Sequence, residues 1–354
     1  MSQKPNRLLR RCGPMTAATT RHLMTRDLAG LSVVITGASS GIGRAAALAF
    51  AKRGAHVALA ARRTELIEEV ARECRNLGTQ AIAVPTDVTD AGAVEHLAQA
   101  ARRTFGAIDV WINNAGTGVF GPYPDADIAL HRRTIEVNLL GSMHGAYAVL
   151  PVFLDQGRGI LINNISLGGW APSPFAAAYT ASKFALRGFS ASLRQELGDH
   201  PDIHVCGVFP AIIDTPGFEH GANVSGRKIN LGPLIYAPED VAETFVSLVH
   251  RPRDEVAVGW PARAAQIAYA LAPRRTERLM GAAMRRALER ASPAPRTQGA
   301  LLQPVPTGRG VSGGWRDRKG LPFSARQTST AIGIMALAGL ALLLGTRAAA
   351  HTRR

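Results

Sequence analysis

Tyr179 and Lys183 lie four residues apart in a stretch of helical apolar spacing, so both project from one face of that helix. An ammonium beside a phenol favours the phenolate and lowers its pKa from about 10 toward neutrality. A tyrosine tuned this way can give a proton to a carbonyl oxygen or take one from a hydroxyl, as a general acid or base. Taken alone, the pair is a spacing that many helices carry on their surface. Its weight depends on what the rest of the chain places beside it.

A second constellation is the run Thr36-Gly37-Ala38-Ser39-Ser40-Gly41-Ile42-Gly43. It follows an apolar, β-branched run and precedes a helical pattern. Gly37 permits a tight turn, Gly41 lets backbone approach a pyrophosphate, and Gly43 allows close packing of helix on sheet. Ser39, Ser40 and Ile42 complete the turn, and the free N–H groups of the helix start suit phosphates. The next apolar run ends Ala60-Ala61-Arg62-Arg63. Sites selective for NAD usually place a carboxylate here for the ribose 2′-hydroxyl. Ala61 supplies none, whereas Arg62 offers a planar, permanently charged donor for a 2′-phosphate. NADP(H) is therefore expected over NAD(H), the plain alternative being two solvated arginines that open a helix.

Strands are expected at 31–36, 56–60, 81–84, 110–112, 159–165, 203–209 and 255–258, with helices between them, among these one long helix at 127–150. Strands alternating with helices of ten or more residues imply right-handed crossovers and a parallel sheet covered on both faces. The expectation is a doubly wound, Rossmann-type α/β domain over about 30–259. A loop of more than twenty residues after 209 has the length of a lid.

These motifs together resemble the short-chain dehydrogenase/reductase family, in its compact branch of about 250 residues. The glycine run, Asp87-Val88, Asn113-Asn114-Ala115-Gly116, Asn138, Ser166, and Tyr179 with Lys183 occur in the family's order and at its separations, Ser166 standing thirteen positions before Tyr179. The resemblance spans about 30–259. It implies a catalytic set of Tyr179, Lys183, Ser166 and Asn138. Ser166 would orient the substrate oxygen, Lys183 would bind the nicotinamide ribose and tune Tyr179, and Asn138 would hold a water that relays protons. Asp87 and Val88 would lie by the adenine, Asn114, Ala115 and Gly116 under the cofactor, and Pro210 and Thr215 by the nicotinamide. It also implies a dimer or tetramer. Two departures are visible: Ala211 follows Pro210 where the family commonly has glycine, and Ile165 precedes Ser166 where a small residue is frequent. Apolar residues at Trp170, Phe175, Phe218, Leu234 and Ile235 point to an apolar carbonyl or alcohol substrate. The rival readings are an epimerase or dehydratase of the same fold, and a membrane-tethered NADP-binding scaffold without turnover.

Charge is unevenly placed. Residues 1–29 carry six basic and one acidic residue, 30–250 carry 17 and 20, 251–291 carry nine and four, and 292–354 carry nine and one. The slightly acidic core argues against a nucleic-acid partner, and basic flanks suit an anionic membrane surface. Cys12, Cys74 and Cys206 have no metal-ligand spacing, so reduced thiols and no metal site are expected. The flanks divide into a basic N-terminal extension (1–29), a basic helical extension (260–291), a Pro/Gly-rich linker (292–326), an uncharged stretch (327–346) and a basic tail (347–354). Twenty uncharged residues at about 1.5 Å each span about 30 Å, a hydrocarbon core. A C-terminal single-pass anchor with the catalytic domain cytoplasmic is expected, with a cytoplasmic protein as the alternative.

Overall fold

The computed structural model describes residues 27–320. The expected membrane stretch 327–346, the tail, Cys12 and nearly all of the N-terminal extension lie outside them.

Seven parallel strands form the central sheet: β1 (Ser32–Thr36), β2 (His56–Ala61), β3 (Ala81–Pro85), β4 (Val110–Asn113), β5 (Gly159–Asn164), β6 (Ile203–Pro210) and β7 (Glu255–Val258), in the order β7-β6-β5-β4-β1-β2-β3. Side chains alternate between faces with period two, and both faces are packed. Val33, Ile35, Val57, Leu59 and Ile112 join one buried cluster with Phe50. Their neighbours Val34, Ala58, Ala60 and Trp111 join another with Phe153 on the opposite face. That is why these runs read as continuously apolar rather than alternating.

The helices α1 (Gly41–Lys52), α2 (Thr64–Asn76), α3 (Ala91–Phe105), α4 (Ile128–Ile135), α5 (Gly141–Gln156), α6 (Ala177–Glu196) and α7 (Pro238–His250) cover the two faces. Strand order reverses between β1 and β4, and in such sheets ligands bind outside the carboxyl ends of the strands at that point. The glycine run leaves β1 there.

The long helix expected at 127–150 is broken. A π-helical turn, Glu136–Leu140, separates α4 from α5 and holds Asn138. By length and composition 128–156 would cross a membrane, yet 44% of its most apolar window is buried in the described domain. It packs against α3 and α6.

Beyond β7, α8 (Trp260–Leu271) and α9 (Pro273–Arg290) form the expected helical extension. The segment expected as a linker behaves otherwise. As far as residue 320 it lies against the domain, and its Leu301 is fully buried among Val119, Leu130, Ala222 and Val224.

Candidate active site

The glycine turn is shaped by close approach. Gly37 has φ +67°, and a Cβ there would stand 2.8 Å from Ala115 Cα. A Cβ on Gly43 would overlap the Gly37 carbonyl and come within 2.8 Å of Asn114 Nδ2. Thr36 Oγ1 accepts the N–H groups of Asn114 (3.0 Å) and Ala115 (3.1 Å), which binds the end of β4 to that of β1. Asn114 Nδ2 donates to the Thr36 carbonyl at 3.0 Å. The motif residues of two distant segments therefore form one floor.

Amide bonds carry that floor to the reactive pair. Asn164 Nδ2 donates to Asn114 Oδ1 at 2.9 Å, and Lys183 Nζ donates to the Asn164 carbonyl at 2.9 Å. Beneath, Asn113 donates to Asn163 Oδ1 (2.9 Å), and Asn163 to Ser190 Oγ (2.8 Å) on α6.

Tyr179 and Lys183 lie on the first turns of α6 as expected, with Nζ 5.7 Å from the centre of the phenol ring. Lys183 is buried at 4% exposure, and burial pulls its ammonium down to about 8. Tyr179 departs from the expectation. Burial pushes its phenol up rather than down, and the hydrogen bond with Ser166 opposes the rise. Loss of solvent around the phenol is the larger effect, and the Ser166 hydrogen bond is the one that opposes it.

Ser166 has φ 145°, a region L side chains rarely adopt, and its Oγ accepts the Gly168 N–H at 3.1 Å. Strained backbone of this kind concentrates where a side chain must be aimed. Ile165 points the other way, into the core at 2% exposure. Its bulk fits because Gly169 and Gly207 face it: a Cβ on Gly169 would lie 2.7 Å from Ile165 Cγ2. The departure at 165 is thus absorbed in the core.

Asn138 is fully buried on the π turn. Its Oδ1 accepts the Thr117 N–H (2.8 Å), and its Nδ2 donates to the Thr117 carbonyl and Ser182 Oγ, both at 2.9 Å. Both ends of the amide are engaged, so the side chain locks 117 to α6. A Cβ on Gly116 would lie 3.5 Å from Asn138 Oδ1 and 3.9 Å from Lys183 Nζ, which places Gly116 between them.

At the other end of the groove, Thr215 Cβ is 3.2 Å from where a Gly41 Cβ would stand, and Pro210 is the buried end of β6. Ser39 and Ser40 accept Arg63 Nη2 at 3.0 and 2.8 Å, and Ile42 packs against the core. Arg62 closes β2 on the same side. The Asp87 carboxyl is pushed up by burial, but hydrogen bonds from Thr89 and Arg133 outweigh that and hold it below its ordinary value. Val88 packs on the start of α5, 2.6 Å from a Cβ position on Gly141.

Trp170 and Ile235, which the sequence offered as signs of an apolar substrate, are core residues at 3% exposure each; Trp170 stacks on Phe209 with centroids 3.8 Å apart. Phe120 and Phe175 pack on one another edge to face with centroids 6.5 Å apart. Sequence reasoning missed Asn164, Ser182, Arg63 and Arg133. Arg63 and Ser182 adjoin motif residues, which is a usable signal. Arg133 reaches Asp87 across 46 positions, and nothing local points to it. Among the described residues no group of acidic, histidine or cysteine side chains is arranged to hold a metal ion.

The profile of the short chain dehydrogenase family matches residues 32–222. An uncharacterized oxidoreductase of Bacillus subtilis, YxnA, is 35% identical over 300 residues, covering 83% of this chain and 84% of that protein. The 11-beta-hydroxysteroid dehydrogenase A of Sesamum indicum is 36% identical over 227 residues, 64% of this chain and 62% of that one. The crystal structure of a metagenomic short-chain oxidoreductase in complex with NADP is similar with a TM-score of 0.56 at 33% identity, over 65% of this chain and 97% of that one.

Proposed function

Since this chain belongs to the short-chain dehydrogenase family and acts as a dehydrogenase/reductase on CH–OH and C=O groups, we propose that it uses NADP(H) in preference to NAD(H) on an apolar small-molecule substrate. The observation that carries the reading is the meeting of Ser166, Tyr179 and Lys183 at the carboxyl end of the sheet, joined by amides to the glycine turn.

The turn fits a dinucleotide. Side chains at Gly37 and Gly43 would collide with the β4 end, and the α1 N-terminus presents N–H groups there. When bound, NADP(H) supplies or accepts the hydride. In the reductive direction, Ser166 and Tyr179 hold the substrate oxygen, and Tyr179 gives up the phenolic proton as charge develops on it. Lys183, positioned by the Asn164 carbonyl, favours the phenolate that remains. Asn138 acts through Thr117 and Ser182, holding the loop after β4 at a fixed distance from α6.

NADP(H) preference rests on Ala61 followed by Arg62, and the relative solved with NADP accords with it. The double variant Ala61→Asp with Arg62→Ala is expected to weaken NADPH and improve NADH, read as the ratio of kcat/KM values. A wild type already better with NADH overturns that preference. An apolar substrate is supported by Phe120 and Phe175, paired edge to face in the segments that follow Gly116 and precede Tyr179, and by the hydroxysteroid dehydrogenase relative. Following NADPH oxidation against aldehydes, ketones and steroid ketones tests it, and preference for small charged carbonyls counts against it.

We further propose a C-terminal membrane anchor at 327–346, with a cytoplasmic catalytic domain and α9 along the anionic leaflet. Arg274, Arg275, Arg278, Arg285 and Arg286 are exposed on α9, and so is Leu279 at 71%.

A further inference from the structure

Residues 297–316 lie across the dinucleotide groove, and their backbone carbonyls take the donors that phosphates would use. Arg62 donates to the carbonyls of Ala300 (2.5 Å), Leu301 (3.2 Å) and Leu302 (3.4 Å). Arg63, beside Ser39 and Ser40, donates to those of Thr307 (3.0 Å) and Gly308 (3.3 Å). The Gly41 N–H, first of the α1 N-terminus, donates to the Gly310 carbonyl at 3.0 Å. A guanidinium fork occupied by carbonyls is not free for bidentate contact with a phosphate.

The segment is anchored at two places and shallow between them. At one end Leu301 is fully buried, and Asn223 and Thr297 exchange both backbone bonds at 2.9 Å. At the other, the buried Asp214 carboxylate accepts from Ser312 Oγ (2.8 Å) and from the N–H groups of Gly313 (3.1 Å), Trp315 (2.9 Å) and Arg316 (3.2 Å). From 302 to 310 every residue except Val305 and Gly308 is exposed.

We propose that 302–310 is a strap that competes with NADP(H) for its own groove: the strap must lift from Arg63 and Gly41, and Arg62 must turn away from the anchored carbonyls of Ala300 and Leu301, before the dinucleotide binds, while Leu301 and the Asp214 clamp keep the strap's ends in place. The inference rests on the reading of this groove as the NADP(H) site. Carbonyls carry partial charges where phosphates carry full ones, so saturating cofactor wins the donors. The cost is an apparent affinity reduced by the fraction of molecules with the strap open.

Gly308→Val tests this without altering a groove residue. Its Cβ would stand 2.8 Å from Pro216 Cβ and overlap the His220 ring, so the strap is displaced. The full-length variant is expected to bind NADPH about fivefold or more tightly and faster, read by cofactor fluorescence, as the open fraction rises. In the wild type, adding NADPH should raise amide exchange across 302–310 and speed trypsin cleavage after Arg309. An unchanged or weaker affinity in Gly308→Val, or NADPH protecting 302–310, overturns the proposal and makes the segment a cover that closes on bound cofactor. If the variant fails to fold, the wild-type exchange decides. Failure of wild type and variant alike to bind NADPH or NADH overturns the groove assignment itself, and the strap with it.

Discussion

Removing the Tyr179 hydroxyl leaves the ring in place, so Tyr179→Phe separates chemistry from binding. NADPH affinity is expected to hold while kcat drops by roughly 10²–10⁴-fold, the usual loss of a general acid. An unaltered kcat moves the proton to another group. The pH profile follows from Lys183, whose pKa is lowered to about 8 by burial. Below that value it is an ammonium that stabilises phenolate; above it the charge is gone. Tyr179, raised by burial, remains protonated across the same range and is ready to donate. Reductive kcat should therefore fall as pH rises through about 8. Lys183→Met should lose most activity and that limb together, and a limb surviving in the variant assigns the titration elsewhere. The Tyr-x-x-x-Lys spacing was legible in the chain. The direction of the tyrosine shift was not, because it depends on solvent removed by segments far from residue 179.

At the scale of elements, seven strands were readable from apolar runs separated by helical patterns, whereas their order in the sheet came from the fold. The π turn at Glu136–Leu140 was not, because its flanks keep a helical pattern and the extra residue per turn leaves no composition signal. What sustains it is tertiary: the Asn138 side chain bonds Thr117 and Ser182 on two other elements. Ile165 teaches the same lesson, since its fit depends on Gly169 and Gly207 in separate segments. Gly169→Ala should destabilise the fold by about 1–3 kcal/mol through overpacking. Thermal unfolding would report it. A melting temperature unmoved by Gly169→Ala would mean that the region repacks freely.

For the whole molecule, the basic flanks and the uncharged stretch 327–346 bear on where the enzyme sits. An inserted apolar helix is effectively irreversible, whereas basic surfaces attach electrostatically and are screened by salt. Full-length protein is therefore expected in the membrane pellet at high salt and alkaline pH, released by detergent alone. A chain ending at Gly320 keeps the strap and should become soluble, or release with salt if α9 still adheres, with reductase activity retained. Recovery of full-length protein in the soluble fraction without detergent disposes of the anchor.

The seven-strand α/β pattern, the glycine turn, Arg62 and the spaced Ser166, Tyr179 and Lys183 could be read from residue types alone, because turn sterics, strand periodicity and helical spacing are local. Four things were decided only in three dimensions: the amide floor from Thr36 to Lys183, the raised phenol of Tyr179, the burial of Trp170 and Ile235, and the docking of 297–316 over the groove. Each depends on desolvation or on hydrogen bonds between segments far apart in the chain. Arg62 and the carbonyl of Ala300 are 238 positions apart in the chain, and a Pro- and Gly-rich composition that reads as a linker says nothing of the partner that holds it.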